Sequence, residues 1–153
     1  MLIILIILFL IAGGLGSIFV NSSINTWYAD LNKPFFTPPA FVFAPIWTIL
    51  YILLAVFYWR LDNLITSENK QYISKLKGLF ILQMVLNFMW TPAFFGLNNI
   101  ILGLLILFAL DILVIRMTWL SFKLDKKCFY ISLIYLLWLL FATSLNLSTF
   151  ILN

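Results

Sequence analysis

Five apolar runs, each about as long as a lipid bilayer is thick, dominate this sequence of 153 residues. A bilayer core of roughly 30 Å needs about 20 consecutive apolar residues in an α-helix. Backbone groups in lipid have to be hydrogen-bonded within the protein, and the alternating pattern of a β-barrel is absent. We therefore predict an all-α membrane protein, a bundle of five transmembrane helices in one domain. Its predicted helices lie at about residues 2–20, 40–59, 79–97, 100–122 and 129–152.

Composition supports this class and narrows the function. Hydrophobic residues make up 65% of the chain and charged residues only 9%, whereas soluble domains carry about 25% charged residues. The chain has one cysteine, Cys128, and no histidine, so it lacks the commonest metal ligand and the commonest general base at neutral pH. No catalytic constellation or metal-ligand spacing is visible. We expect no metal, no cofactor and no conventional enzyme, and the scattered basic residues argue against nucleic acid as a partner.

Basic residues predict the orientation in the membrane. Eight of the nine Lys and Arg residues lie in or beside the second and fourth connections, and Lys33 alone lies in the first. Because short basic loops stay in the cytoplasm, we expect a cytoplasmic N-terminus. The first run has no basic n-region of a signal peptide, so we expect it to be retained as a helix. Short basic loops without a targeting presequence favour a bacterial cell membrane.

The first connection, Asn21–Pro39, is long and rich in aromatic residues and proline. Its large side chains include Trp27 and Tyr28, and its three prolines restrict the backbone. A long structured loop of this kind can be a lid or a binding element. Alternatively, its aromatic residues can rest at the membrane interface as a belt. The prolines favour a shaped lid, because a belt does not need a fixed backbone.

Three of the predicted helices each carry one stripe that mixes large aromatic residues with amide or small residues. Such amides can be hydrogen-bonding contacts between helices, which suits Gln83 and Asn146. Tryptophan is less suited to plain packing at depth, because its indole N–H needs a partner. Three stripes facing a common centre would form a mostly apolar pocket with a few polar anchors. The stripes consist of Phe43, Trp47 and Tyr51; Gln83, Asn87 and Trp90; and Tyr135, Trp138, Ala142, Leu145 and Asn146.

Two further features leave alternatives open. Asp111 lies near the middle of the fourth run, where an ionisable residue is a functional candidate by default. It can equally be protonated, or paired with Arg116 or a backbone group. Gly13 and Ser17 in the first run form a small-xxx-small pair, which a homodimer or a contact within the chain explains equally well.

Three stretches resemble the TspO/MBR family, which comprises tryptophan-rich sensory proteins and translocator proteins (peripheral benzodiazepine receptors). They are WYADLNKPFFTPPAFVFAPIWTILY at residues 27–51, QMVLNFMWTPAFFG at residues 83–96 and YLLWLLFATSLN at residues 135–146. They stand in the order and at the spacing of the family. Together with the five runs, the resemblance covers essentially the whole chain.

The resemblance implies a five-helix bundle, often a homodimer, with a ligand pocket under the first loop. Family members bind porphyrins such as protoporphyrin IX and isoquinoline carboxamide or benzodiazepine drugs, and animal members also bind cholesterol. The basic residue that follows the fifth-helix aromatics in animal members is missing here, which argues against cholesterol. The family's helix-four tryptophan and aspartate align with Leu102 and Ile106, so Asp111 is not the family aspartate. Matched by motif, the expected ligand-binding residues are Trp27, Tyr28, Trp47, Tyr51, Asn87, Trp90, Trp138, Ala142 and Leu145.

Three functions are compatible with this pocket. The first is a membrane receptor or sensor that binds porphyrins and regulates the tetrapyrrole level. The second is light- and oxygen-dependent porphyrin degradation, for which Trp47 and Trp138 are the candidate residues. The third is porphyrin transport. Without histidine the protein is poorly equipped to hold haem iron, so the metal-free tetrapyrrole is the expected ligand.

Overall fold

The computed structural model describes residues 1–153, and all of its regular secondary structure is helical, with no strand. Five helical segments are long and apolar enough to cross a membrane, which confirms the predicted fold class. A short sixth helix lies in the first connection, a 3₁₀ turn at Ala40–Val42 precedes α3, and a π-helical turn at Pro92–Gly96 follows α4. The α-helices are α1 Leu2–Ser23, α2 Trp27–Asp30, α3 Phe43–Asn63, α4 Lys70–Thr91, α5 Ile100–Leu124 and α6 Lys126–Leu152.

Several helices extend beyond the apolar runs that predicted them. The largest difference is in α4, which begins at Lys70 although hydropathy placed its start near residue 79. Its added turns carry three lysines on the outside but bury Ile73 and Leu76 completely. Hydropathy therefore marks the lipid-embedded part of a helix, whereas packing and hydrogen bonding decide where the helix itself begins.

The five long helices form a closed ring in the order α1, α3, α6, α5, α4, with α4 packing back against α1. We call one end the loop end; it contains residues 21–42, the turn between α4 and α5, and the C-terminus. We call the other the basic end; it contains the N-terminus and the turns from α3 to α4 and from α5 to α6. The corresponding halves of the bundle are the loop half and the basic half.

The basic half is filled by large apolar side chains with no solvent exposure. Phe57 stacks on Phe80 at a centroid distance of 5.6 Å and an interplanar angle of 14°. Burial of this kind and close packing stabilise the bundle core. Fully buried members of this half include Leu54, Phe57 and Leu61 of α3, Ile73 and Leu76 of α4, Val114 and Met117 of α5, and Cys128 of α6.

Two ion pairs close the basic end. The Arg60 Nε and Nη2 groups donate to the two carboxylate oxygens of Asp125 at 2.6 and 2.7 Å. Asp125 also accepts from the Cys128 N–H at 2.9 Å, so it caps the N-terminus of α6. Lys77 pairs with Asp62. The Arg60 hydrogen bonds hold the pKa of Asp125 well below its usual value, and this one carboxylate connects α3 to the α5–α6 turn.

Helix α1 is the peripheral helix of the ring, and Gly13 and Gly16 face the bundle. A Cβ added to Gly13 would lie 2.2 Å from Cε2 of Tyr51, and one added to Gly16 would lie 3.4 Å from the Thr91 hydroxyl. Gly14 has no neighbour within 4 Å of such an atom. Two explanations were open for the small residues of α1, a homodimer contact and a contact within the chain. At Gly13 the structure shows a contact within the chain.

Candidate functional site

The first connection is folded around α2. The Lys33 ammonium donates to the backbone carbonyls of Tyr28 at 2.7 Å, Leu31 at 2.9 Å and Ala29 at 3.2 Å. It also lies 4.7 Å from the centroid of the Tyr28 ring. Lys33 thus caps the end of a helix too short to be stable alone and holds the Tyr28 side of the loop in shape.

Side-chain amides attach this loop to the rest of the bundle. The Asn32 N–H donates to Oδ1 of Asn153 at 2.9 Å, and Nδ2 of Asn153 donates back to the Asn32 carbonyl at 3.0 Å. At the other end of the loop, the Ser23 hydroxyl donates to Oδ1 of Asn98 at 2.7 Å. The loop is therefore fixed at both sides, while Phe35 at its tip is fully exposed. The fixed ends are a feature of a lid, and the exposed aromatic tip is a feature of an interfacial anchor, so the segment combines both.

Phe94 is the centre of an aromatic cluster that the sequence analysis did not identify. Its ring stacks on Trp90 at 5.2 Å and 15°, and it contacts Trp27 at 5.4 Å and Tyr28 at 6.2 Å. The π-helical turn that begins at Pro92 places it there. The spacing of four residues from Trp90 suits a stack along one helix face, and π turns are frequent at functional sites.

A chain of buried hydrogen bonds connects three helices near mid-membrane. The Tyr51 hydroxyl donates to Oδ1 of Asn87 at 3.0 Å, and Nδ2 of Asn87 donates to the Tyr135 hydroxyl at 3.0 Å. The Tyr135 hydroxyl donates in turn to Oε1 of Gln83 at 2.8 Å. Tyr51 and Asn87, both expected site residues, are therefore in direct contact, and Gln83 makes the interhelical contact proposed for it.

The other expected site residues divide between two aromatic groups. Trp47 lies beside Tyr51, with ring centroids 5.6 Å apart. Trp138 instead contacts Phe43 at 6.0 Å and Phe141 at 5.4 Å. The two candidate residues for porphyrin degradation thus have different ring partners. Ala142 and Leu145, one and two turns beyond Trp138, are half-buried.

An open apolar groove of about 440 Å³ runs between α3 and α6 on the outside of the bundle. Trp138 forms one of its walls, so this tryptophan lies between the bundle interior and the lipid-facing surface. The groove is lined by Ile46, Ile49, Leu50, Ile134, Leu137 and Trp138.

Buried polar atoms without a hydrogen-bond partner are concentrated between mid-bundle and the loop end. Such atoms cost free energy, and each calls for an explanation such as a bound ligand or water. In the basic half, only the Thr118 hydroxyl belongs to this group. The others are Nε1 of Trp90, Nε1 of Trp138, Nε2 of Gln83, Oδ1 of Asp111, and both amide atoms of Asn146.

Asp111 is hydrogen-bonded neither to Arg116 nor to a backbone group, the two partners that its sequence position suggested, but to Thr143. The Thr143 hydroxyl donates to its Oδ2 at 2.8 Å, so the contact joins α5 to α6 and does not involve Arg116. The partner lies 32 residues away in sequence, and sequence spacing along one helix cannot reveal it.

The chain is a multi-pass membrane protein whose loop half combines a folded loop, clustered aromatics and unpaired polar atoms. A model of the TspO/MBR family matches residues 4–152, and the chain belongs to this family, which confirms the resemblance. It is similar to the tryptophan-rich protein TspO of Archaeoglobus fulgidus, with 42% identity over 142 residues that cover 92% of this chain and 89% of the relative.

Two further relatives extend the comparison. The tryptophan-rich sensory protein of Cereibacter sphaeroides is 32% identical over 129 residues, covering 84% of this chain and 78% of the relative. The translocator protein of Bos taurus is 31% identical over 138 residues, covering 89% and 80%. The similarity thus extends over most of each chain.

Proposed function

We propose that this protein is a membrane receptor that binds porphyrins, such as protoporphyrin IX, and related flat aromatic molecules in its loop half. In this role it senses and regulates the tetrapyrrole level. The names of its relatives, a sensory protein and a translocator protein, support a receptor role. The bilayer is its second partner, because porphyrins partition into lipid and can reach a site inside the membrane.

One observation carries this proposal: the buried indole N–H groups of Trp90 and Trp138 have no partner, although both lie among aromatic rings. Aromatic faces suit a flat disc, and each offset stack contributes about 0.5–1.5 kcal/mol beyond burial. The unpaired N–H groups can then donate to polar atoms of the ligand. Trp27 and Tyr28 of the loop contact Phe94, which stacks on Trp90.

Tryptophan fluorescence in detergent or nanodiscs tests binding. Protoporphyrin IX should quench the fluorescence at micromolar concentration. Trp90→Phe should weaken the affinity several-fold, because it removes the indole N–H donor and leaves a smaller aromatic face. Trp119→Phe is the matched control, because Trp119 is 57% exposed in the basic half. Unchanged fluorescence at micromolar porphyrin would exclude the proposal.

Porphyrin degradation is a second candidate, and the contact of Trp47 with Tyr51 favours it. This pair continues through hydrogen bonds to Asn87 and Tyr135, so oxidisable side chains adjoin one another. Illumination of the complex in air should then yield a new absorbing product that Trp47→Phe or Trp138→Phe abolishes. Bleaching at the rate seen in empty detergent would count against it.

Transport would instead appear as faster uptake of porphyrin by proteoliposomes than by bare liposomes.

For the orientation, we propose that the basic end faces the cytoplasm, because eight of the nine basic residues lie at or near it. A reporter fused to the C-terminus should then be active outside the cytoplasm. Cytoplasmic activity of this fusion would reverse the assignment.

A further inference from the structure

Asn146 is the buried side chain whose presence the fold explains least. It lies on α6 with 4% exposure, and neither its amide oxygen nor its amide nitrogen has a hydrogen-bond partner. The interhelical contact expected for it is therefore not formed, in contrast to Gln83. An unpaired amide inside a membrane bundle is costly, because it has lost water without gaining a protein partner.

The surroundings of Asn146 are aromatic and close-packed. A Cβ placed on Gly103 of α5 would lie 3.0 Å from the amide nitrogen of Asn146 and 2.8 Å from Cδ2 of Phe94. Asn146 and Phe94 are therefore neighbours, and Gly103 leaves the space that both occupy. Phe94 stacks on Trp90, whose indole N–H is also buried and unpaired. Two unpaired polar side chains thus flank the Phe94 ring.

We infer that Asn146 and Trp90 form a polar subsite for a neutral carboxylic acid or primary carboxamide carried by an aromatic ligand. This inference rests on the proposed function and deepens it. A carboxylic acid presents one donor and one acceptor side by side, and the amide of Asn146 offers the complementary pair. The indole N–H of Trp90 can donate to a second lone pair of the same group, and Phe94 shifts to admit it.

The charge distribution favours the neutral form of that group. The ammonium of Lys33, the basic residue of the loop, is already bonded to three carbonyls. No Lys or Arg follows Lys127 in the chain, so α6 brings no cation to the subsite. An ionised carboxylate would be costly in this environment, whereas an acid or an amide fits the available donors and acceptor.

Two porphyrins that differ only in this group provide the test. Protoporphyrin IX carries two propionic acids, and its dimethyl ester keeps the ring but has no O–H donor. Wild-type protein should bind the acid more tightly. Asn146→Leu keeps the branched shape of the side chain and removes the amide. It should therefore lower the affinity for the acid about tenfold, as expected for lost hydrogen bonds. The affinity for the ester should fall less, because the ester can accept from the amide nitrogen but cannot donate to the amide oxygen.

Thermal unfolding of the ligand-free protein separates a binding role from a structural one. Because the amide is unpaired, Asn146→Leu should not lower the unfolding temperature. Thr118→Val is the matched control: it also removes a buried unpaired polar group, but about 22 Å away along α5 from Gly103, and it should leave both affinities unchanged. Asn146→Ala provides a second variant without the added bulk of leucine.

The possible outcomes distinguish this inference from the proposed function. Equal losses for acid and ester in both Asn146 variants, together with a lower unfolding temperature, would make Asn146 a structural residue and overturn the subsite. Equal binding of acid and ester by the wild-type protein would also overturn it and leave the proposed function standing. If neither porphyrin binds the wild-type protein, the proposed function fails as well.

Discussion

The basic half of the bundle is packed with fully buried apolar side chains, whereas the loop half contains partly buried tryptophans and unpaired polar atoms. Phe57 and Met117 have no solvent exposure, and two ion pairs, Arg60–Asp125 and Lys77–Asp62, join helices and turns at the basic end. At the loop end, Trp90 and Asn146 keep polar atoms without partners. Both halves share the same five long helices, and the loop half adds α2 and the π-helical turn.

This difference indicates a division between stability and binding. A well-packed half with paired charges tolerates unsatisfied groups elsewhere, and binding sites commonly cost stability. A change in the basic half should therefore alter the free energy of unfolding and leave affinity unaffected. A change in the loop half should alter affinity more than stability.

The largest expected effect is that of Phe57→Ala. Phe57 is fully buried and stacked on Phe80, so its truncation should lower the free energy of unfolding by about 3–5 kcal/mol. Porphyrin affinity of the folded fraction should not change. Unfolding in mixed detergent measures the free energy of unfolding, and fluorescence titration measures the porphyrin affinity. Phe122→Ala, at a 67% exposed position near the same end, is the control and should cost little. A selective loss of porphyrin binding in Phe57→Ala would contradict the division.

Asp125→Ala should have the next largest effect. It removes the two hydrogen bonds from Arg60 and the cap of α6, at a cost of about 2–3 kcal/mol. Asp125→Asn keeps a capping side chain and should cost less. The same unfolding assay ranks these variants, and equal stability of Asp125→Ala and wild type would show that the basic end does not depend on this carboxylate.

Acidic pH should remove the contribution of Asp125 to the free energy of unfolding. Its pKa is lowered in the folded protein by Arg60, so the ionised carboxylate stabilises the fold at pH values above about 4, the unfolded pKa. The contribution is lost as the pH falls below that value toward the folded pKa. The stability difference between wild type and Asp125→Ala should therefore shrink in acid. A difference that grows as the pH falls would contradict this sign.

The smallest expected effects come from alanine substitutions at Gly13 and Gly14, two adjacent residues of α1 with different surroundings. Gly13→Ala places a methyl group against the Tyr51 ring, which should cost about 1–2 kcal/mol and weaken porphyrin binding by displacing the Tyr51–Asn87 hydrogen bond. Gly14→Ala meets nothing within 4 Å and should be neutral or slightly stabilising, since alanine favours helix. Identical behaviour of the two variants in unfolding and titration would argue against a role for α1 in the site.

The sequence predicted most of the fold, and it predicted the contacts that depend on helical spacing. Hydropathy identified the five spans, and spacing placed Tyr51 and Asn87 on inward faces where they now meet. Both arguments depend on a regular period along one helix. The start of α4 was placed too late because the lysines of its first turns lower the hydropathy there.

The remaining parts of the site depend on geometry that a regular period does not describe. Phe94 contacts Trp27 and Tyr28 of the first connection, whose fold no helical period describes. Gly103 matters because of what lies beside it on α6, and Thr143 meets Asp111 across two helices. A proline directly after the third-helix stripe was the one signal in the sequence that the helical register changes there.

Indole N–H resonances give the most direct test of whether the loop half is the binding site. Each of the six tryptophans has one such signal, which substitution by phenylalanine assigns. Addition of protoporphyrin IX to the ¹⁵N-indole-labelled protein in detergent should shift the signals of Trp90 and Trp138, whose N–H groups acquire a partner or a new neighbouring ring. The signal of Trp119 in the basic half should stay in place. Shifts confined to Trp119, or unchanged signals for both Trp90 and Trp138 at saturating porphyrin, would contradict the account.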